Sequence, residues 1–218
     1  MHTPTITYQI QHASDRHDSC PFLEGLPLMT NPHHGHDASG HHGHGHGHGH
    51  GPSPAGEHRA RGPRSVRCFA LTISDSKTAA DDTSGQAIQE LVQRAGHALA
   101  GSLVVKDEPV EIRAAILGAI SAGAQVVISS GGTGLTSRDS TFEVVTALLE
   151  RPIPGFGELF RYLSFQEVGS AAMLSRATAG VVQGAVVFAL PGSPNGVRLA
   201  MEKLVLPELS HLLEQLGR

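Results

Sequence analysis

Four short apolar runs, each followed by a stretch with helical spacing, constrain this chain more than any other feature. The runs are VRCFALTIS (Val66–Ser74), LAGSLVV (99–105), AQVVISS (124–130) and GAVVFALPG (184–192). Between them lie DTSGQAIQELVQRAG, with Ile88, Leu91, Val92 and Ala95 at helical spacing, then PVEIRAAILGAISAG and STFEVVTALLE; PNGVRLAMEKLVLPELSHLLEQL follows the last. Consecutive apolar residues leave a strand no face for water, and strands separated by helices pair in parallel with helices on both sides. The expected fold is therefore α/β, a three-layer αβα sandwich with a mostly parallel sheet. Thr83 or Ser84 reads as the N-cap of the first helix and Gly96 as its stop.

This pattern begins only at Arg64. Residues 1–63 carry HHGHDASGHHGHGHGHGHG from His33 to Gly51 and show no apolar periodicity, so ordering entropy would go unrecovered. They read as a disordered His/Gly-rich extension, and 64–218 as one domain of ordinary size. Nine histidines between His33 and His50 form an array suited to Zn or Ni. Metal buffering, incidental low-complexity expansion and a cloning artefact are all open as its origin. From residue 64 on there are 13 basic and 15 acidic side chains, without a basic block or an aromatic-basic surface, which argues against a nucleic-acid partner. No apolar run reaches the length of a membrane span and no secretory signal opens the chain; Cys20 and Cys68 form no disulfide framework. The expectation is a cytoplasmic protein with no membrane partner.

In an open α/β sheet, ligands bind outside the carboxyl ends of the strands. Here those ends run into Ser74-Asp75-Ser76, Lys106-Asp107-Glu108-Pro109, SSGGTGLTSRDST (Ser129–Thr141) and LPGSPNG (Leu190–Gly196). Together they offer carboxylates from Asp75, Asp107 and Asp139, bare backbone at Gly131, Gly132, Gly134 and Gly192, hydroxyls, and Arg138. Oxygen ligands and glycine-rich backbone suit a phosphorylated ligand with Mg²⁺. GGTGLTSRD is neither a P-loop, having no Lys-Ser/Thr pair, nor a dinucleotide fingerprint, whose third glycine is missing. A tight strand-to-helix turn would also use such glycines; Arg138 and Asp139 beside them, and the second small-residue loop Pro191-Gly192-Ser193-Pro194, favour a ligand.

Four segments in series carry a resemblance: SSGGTGLTSRDST, PGFGELFRYLSFQEVGS (154–170), LSRATAG (174–180) and ALPGSPNGV (189–197). In order and spacing they are similar to the MoaB/MogA family of molybdenum-cofactor biosynthesis proteins, and the wording of the second is closer to MoaB. The resemblance spans 64–218 and leaves the extension outside. It implies a molybdopterin-binding fold, assembled as a homotrimer or homohexamer, and for MogA-type members a molybdopterin adenylyltransferase that uses ATP and Mg²⁺ and releases pyrophosphate. Some MoaB-type members are non-catalytic binding or scaffold proteins.

Carried onto this chain, the two acids that mark active members fall on Asp107 and Asp139, as catalytic residues and Mg²⁺ ligands; Lys106 stands where a proline is usual. Gly131, Gly132, Thr133, Gly134 and Thr141 would form the phosphate cradle, Asp82 and Ser84 the nucleotide side, and Ser175, Arg176, Pro191, Gly192 and Ser193 the pterin end. Arg138 is either a ligand contact or one half of a local ion pair, and Asp75 and Glu158 are either site residues or turn and cap residues.

Overall fold

Strand β1 (Arg67–Ile73) sits one place in from the edge of a six-stranded sheet and pairs in parallel with both neighbours, β2 (Ala98–Val105) and β3 (Val126–Ser130). The computed structural model describes residues 63–217, so the extension read over 1–63 lies outside the described residues except for Pro63. Beyond β3 comes β6 (Ala185–Leu190), also parallel; β5 (Thr178–Val182) and the two-residue β4 (Arg151–Pro152) then complete the order β2-β1-β3-β6-β5-β4 with antiparallel pairings. The sheet is mixed and mostly parallel, as expected, with two strands more than the four apolar runs announced.

Helices cover both faces, and side-chain alternation sorts the strands between them. On one face Cys68, Ala70, Val126, Ile128 and Phe188 pack under α1 (Thr83–Arg94), α4 (Pro154–Val168) and the last helical stretch. On the other, Leu71, Ile73, Val127 and Val187 meet Ile112 and Ile116 of α2 (Pro109–Ser121) and Val145 of α3 (Thr141–Leu148). β3 and β6 are buried along their whole length, whereas β2 is an edge strand with half-open positions rather than a doubly covered one. Burial pushes the Cys68 thiol up to about 12, which leaves it an inert core group.

The last stretch runs as α5 (Pro194–Ala200), a π segment (Met201–Val205) and α6 (Leu206–Leu216). Pro207 has no N–H for the Lys203 carbonyl, and its ring would crowd that carbonyl in an α-helix. The backbone widens just ahead of it, where the Leu206 N–H donates to the Met201 carbonyl five residues back. α1 is capped not by Thr83 or Ser84 but by Asp82, whose Oδ1 accepts the Gly85 N–H at 2.9 Å. Asp82 wins because its other oxygen accepts the Thr72 hydroxyl of β1 at 2.6 Å, tying cap to sheet; such a cap contributes about 1 kcal/mol. Among the described residues no helix is long and apolar enough to cross a membrane.

Candidate functional site

The loops that leave β3 and β6 stand side by side and form one wall of a cleft of about 620 Å³. That wall is Gly131–Gly134 with Pro191, Gly192 and Ser193. The facing wall comes from α4 and the 3-10 turn after it (Gly169–Leu174), through Phe160, Ser164, Glu167, Val168, Ala172 and Leu174, with Leu199 of α5 beside them.

Two of the glycines are required by contact. Gly131 has φ +98°, and a Cβ there would strike the Ile73 carbonyl of β1. At Gly132, φ +63°, a Cβ would strike the Thr141 hydroxyl and the Asp107 carboxylate. The loop is thus bare because β1, α3 and a buried acid approach its backbone from behind, and the same bareness leaves its front open to the cleft.

Asp107 is buried, with Oδ1 accepting the Ser140 N–H at 3.0 Å and the Ser140 hydroxyl at 2.7 Å. Ser140 is the N-cap residue of α3 but its own side chain makes no capping bond, so a carboxylate from the β2 loop places negative charge at this helix start instead. Beside it, the Thr141 Oγ1 is buried with no hydrogen-bond partner among the described residues. Asp139 lines the cleft itself. Its Oδ2 accepts from the Thr136 hydroxyl at 2.5 Å and the Thr136 N–H at 3.1 Å. These bonds, the hydroxyl first, hold the Asp139 carboxyl below its ordinary range against the opposing effect of burial, with the Gly134 N–H and the Arg176 charge helping.

Arg138 resolves as a bridge. Its Nε and Nη2 donate to Asp75 at 2.8 and 3.1 Å, and Nη1 meets Glu108 at 2.8 Å. Asp75 in turn accepts the Asp107 N–H at 3.2 Å. The guanidinium therefore laces the loops after β1, β2 and β3 together, and its hydrogen bonds hold the Asp75 carboxyl below the usual carboxylate range. Ser84 donates to the Gly192 carbonyl at 2.8 Å and fixes the β6 loop to α1, while Asp82 borders a separate hollow beside Thr72, Lys77 and Ser102. Ser193 caps α5 by accepting the Gly196 N–H at 3.2 Å. Arg176 faces the back of the glycine loop: Nε donates to the Thr133 carbonyl at 3.1 Å, Nη2 to the Gly134 carbonyl, and Nη1 pairs with Glu143. The Ser175 hydroxyl is buried without a partner among the described residues, in a residue that lines the cleft. Glu158 is exposed on α4 and is not among the residues that line the cleft.

The structure thus brings Gly131–Gly134, Asp139, Ser175 and Pro191–Ser193 into one cleft, sets Asp107, Thr141 and Arg176 behind its loop, and places Asp75, Arg138, Asp82 and Ser84 as fasteners around it. Residue-by-residue reading missed Phe160, Ser164, Glu167, Asn195 and Leu199 of the lining. The signal was present in PGFGELFRYLSFQEV, where 160, 164, 167 and 168 share one face of a helix.

A family described as "probable molybdopterin binding domain" matches residues 69–211. The chain belongs to this family, the MoaB/MogA proteins. It is 49% identical over 164 residues to molybdenum cofactor biosynthesis protein B of Bacillus cereus, a match that covers 74% of this chain and 97% of the relative. The same-named protein of Bacillus subtilis is 44% identical over 164 residues, covering 74% and 96%. Among solved structures, a crystal structure of molybdenum cofactor biosynthesis protein B superposes with TM-score 0.70 at 49% identity, covering 72% of this chain and 98% of the other. The tungsten cofactor synthesizing protein MoaB from Pyrococcus furiosus superposes with TM-score 0.67 at 36% identity, covering 72% and 99%. Closeness to MoaB and the three-layer fold both stand on these likenesses.

Whether Mg²⁺ suits this site turns on its donors. Among the described residues no three or more His, Cys, Asp or Glu side chains are grouped to hold a metal ion. The donors are nonetheless hard oxygens, and next to Gly132 the Asp107 carboxylate and the orphaned Thr141 hydroxyl lie together. That set fits a cation that draws its remaining ligands from phosphates and water, the usual habit of Mg²⁺.

Proposed function

We propose that this chain binds molybdopterin in the cleft and serves in molybdenum-cofactor biosynthesis, with the ligand's terminal phosphate at the Gly131–Gly134 loop and its pterin along the Phe160–Leu199 wall. The observation that carries the reading is one cleft with two unlike walls, polar bare backbone facing a largely apolar wall whose polar members are Ser164 and Glu167, which matches a ligand with a phosphate at one end and a flat ring at the other. Isothermal titration with molybdopterin and with its dephosphorylated form tests it. Tighter binding of the phosphorylated form supports this placement, and equal binding overturns it.

The second reading, adenylyl transfer from ATP, is favoured by the presence of both Asp107 and Asp139. A terminal phosphate oxygen of molybdopterin would attack the α-phosphorus of ATP, forming one P–O bond while the α–β bridging P–O bond breaks and pyrophosphate leaves. Two polyanions must meet, so positioning and charge neutralisation are the whole task. A bound Mg²⁺ would supply the neutralising charge, with Asp107 and the Thr141 hydroxyl beside Gly132 as the donors that lie together and Asp139 as the acid on the cleft side. The protein's own part is to fix the phosphate by backbone N–H groups and to keep Asp139 ionised, which its hydrogen bonds favour. Pyrophosphate release from ATP plus molybdopterin tests transfer. Asp139→Asn is expected to lower that rate about a hundredfold with binding kept; binding without any pyrophosphate in the wild type would leave a non-catalytic carrier. A homotrimeric or homohexameric assembly, a cytoplasmic address, a division at about residue 63 and Zn²⁺ or Ni²⁺ capture by the histidine array complete the reading. Sedimentation and metal titration of the full and shortened chains test these.

A further inference from the structure

Arg176 is largely buried, at 20% side-chain exposure, and all three of its guanidinium nitrogens are used. Two of them hold consecutive carbonyls of one loop, Thr133 and Gly134, while the third reaches Glu143 in the first turn of α3 and the Cζ atom lies over the Phe142 ring, 5.1 Å from its centre. A trans peptide points its N–H opposite to its C=O. Fixing the Thr133 carbonyl therefore turns the Gly134 N–H the other way, and the Asp139 carboxylate lies against Gly134. Fixing the Gly134 carbonyl likewise turns the Leu135 N–H away from Arg176. Glycine at 134 would otherwise let these peptide planes rotate freely.

We propose that Arg176 is a positioning residue of the phosphate seat: by gripping two loop carbonyls from behind, it sets the direction of the amides that face Asp139 and the cleft. The proposal rests on the molybdopterin reading only for its effect on ligand binding. The guanidinium is suited to this because its rigid fork can hold two acceptors in one plane, which a lysine ammonium cannot. Glu143 and the Phe142 face balance its charge without competing for the two loop carbonyls.

The test uses the full chain as wild type, Arg176→Gln and Arg176→Lys, with molybdopterin and dephosphorylated molybdopterin as titrants and hydrogen exchange of the unliganded protein as a second arm. Both variants are expected to lose about tenfold in affinity for molybdopterin while changing less than about twofold for the dephosphorylated form. In both, the Gly134 amide should exchange at least about tenfold faster, with the Ile128 and Val187 amides of the sheet unchanged as a control for folding. An equal loss for both ligands would mean that Arg176 touches the pterin directly and would overturn the proposal. So would full retention by Arg176→Lys, which would reduce the residue to a charge. If the wild type bound neither titrant, the molybdopterin reading would fail, and the exchange arm alone would decide: a Gly134 amide indifferent to both variants sinks the positioning role.

Discussion

The two walls of the cleft are built on different principles. The loop wall is fastened at nearly every step: Asp107 to Ser140, Asp75 to Arg138, Arg138 to Glu108, Ser84 to Gly192, Arg176 to Thr133 and Gly134. The facing wall has few such ties. α4 starts without a side-chain cap, and around its buried Phe156 and Phe160 it shows Leu159, Tyr162, Phe165 and Val168 to solvent, followed by Met173 and Leu174 of the 3-10 turn. A phosphate needs donors fixed in advance, because reorganising dipoles around an anion costs free energy at the moment of binding. A flat ring needs only area and shape, which apolar side chains supply without fixed directions. The difference implies that damage to the loop wall should cost folding and function together, whereas the apolar wall should tolerate change.

Gly131→Ala is the hardest test of that contrast. Its methyl group would enter the Ile73 carbonyl from a left-handed backbone position, so a loss of at least about 2 kcal/mol is expected in urea unfolding. A loss well under 1 kcal/mol would show the loop wall to be yielding. Next, Asp107→Ala leaves the Ser140 N–H and hydroxyl without their acceptor and should cost about 1–3 kcal/mol, with Asp107→Asn milder because its amide oxygen still accepts.

A smaller effect belongs to pH. Asp75 and Asp139 both have folded values below the ordinary carboxylate range. Their stabilising contribution is therefore complete well above the unfolded value of about 3.9 and is lost as pH falls through that value and on through the folded ones. Arg138→Met removes the main cause at Asp75 and should flatten this acid limb; an unchanged pH profile would show the bridge to be idle in solution. Smallest of all, Val168→Ser or Leu174→Ser on the apolar wall should move stability by no more than about 0.5 kcal/mol. A larger loss would mean that this wall is as strictly built as the other.

Legibility in the sequence follows the same division. β1, β3 and β6 were readable because burial on both faces writes itself as continuous apolar runs. The loops at their ends were readable for the same reason, since the strands fix where they point. β5 escaped because its hairpin turn to β6 is Gln183-Gly184, both with positive φ, and glutamine stands where Asn or Asp usually marks such a turn. The partners inside the site were hidden for a different reason. That Asp107 serves Ser140, 33 residues later, or that Arg176 grips a carbonyl 43 residues earlier, depends on distances the fold creates, and no local pattern encodes them.

The wide turn at Met201–Val205 settles an angular discrepancy in the last helix. Val197, Met201, Val205 and Leu209 are all fully buried, a strict four-residue repeat. At about 100° per residue a four-residue step overshoots a full rotation by about 40°, so an unbroken α-helix would carry Leu209 about 120° around from Val197. One extra residue taken up in a wide turn absorbs about 100° of that drift, and the screw re-enters phase with the sheet. Pro207 therefore acts as a clutch on the helix. A single-residue deletion between 201 and 205 would leave the sequence almost intact and yet turn everything after it by more than a quarter revolution, taking Leu209 out of the core.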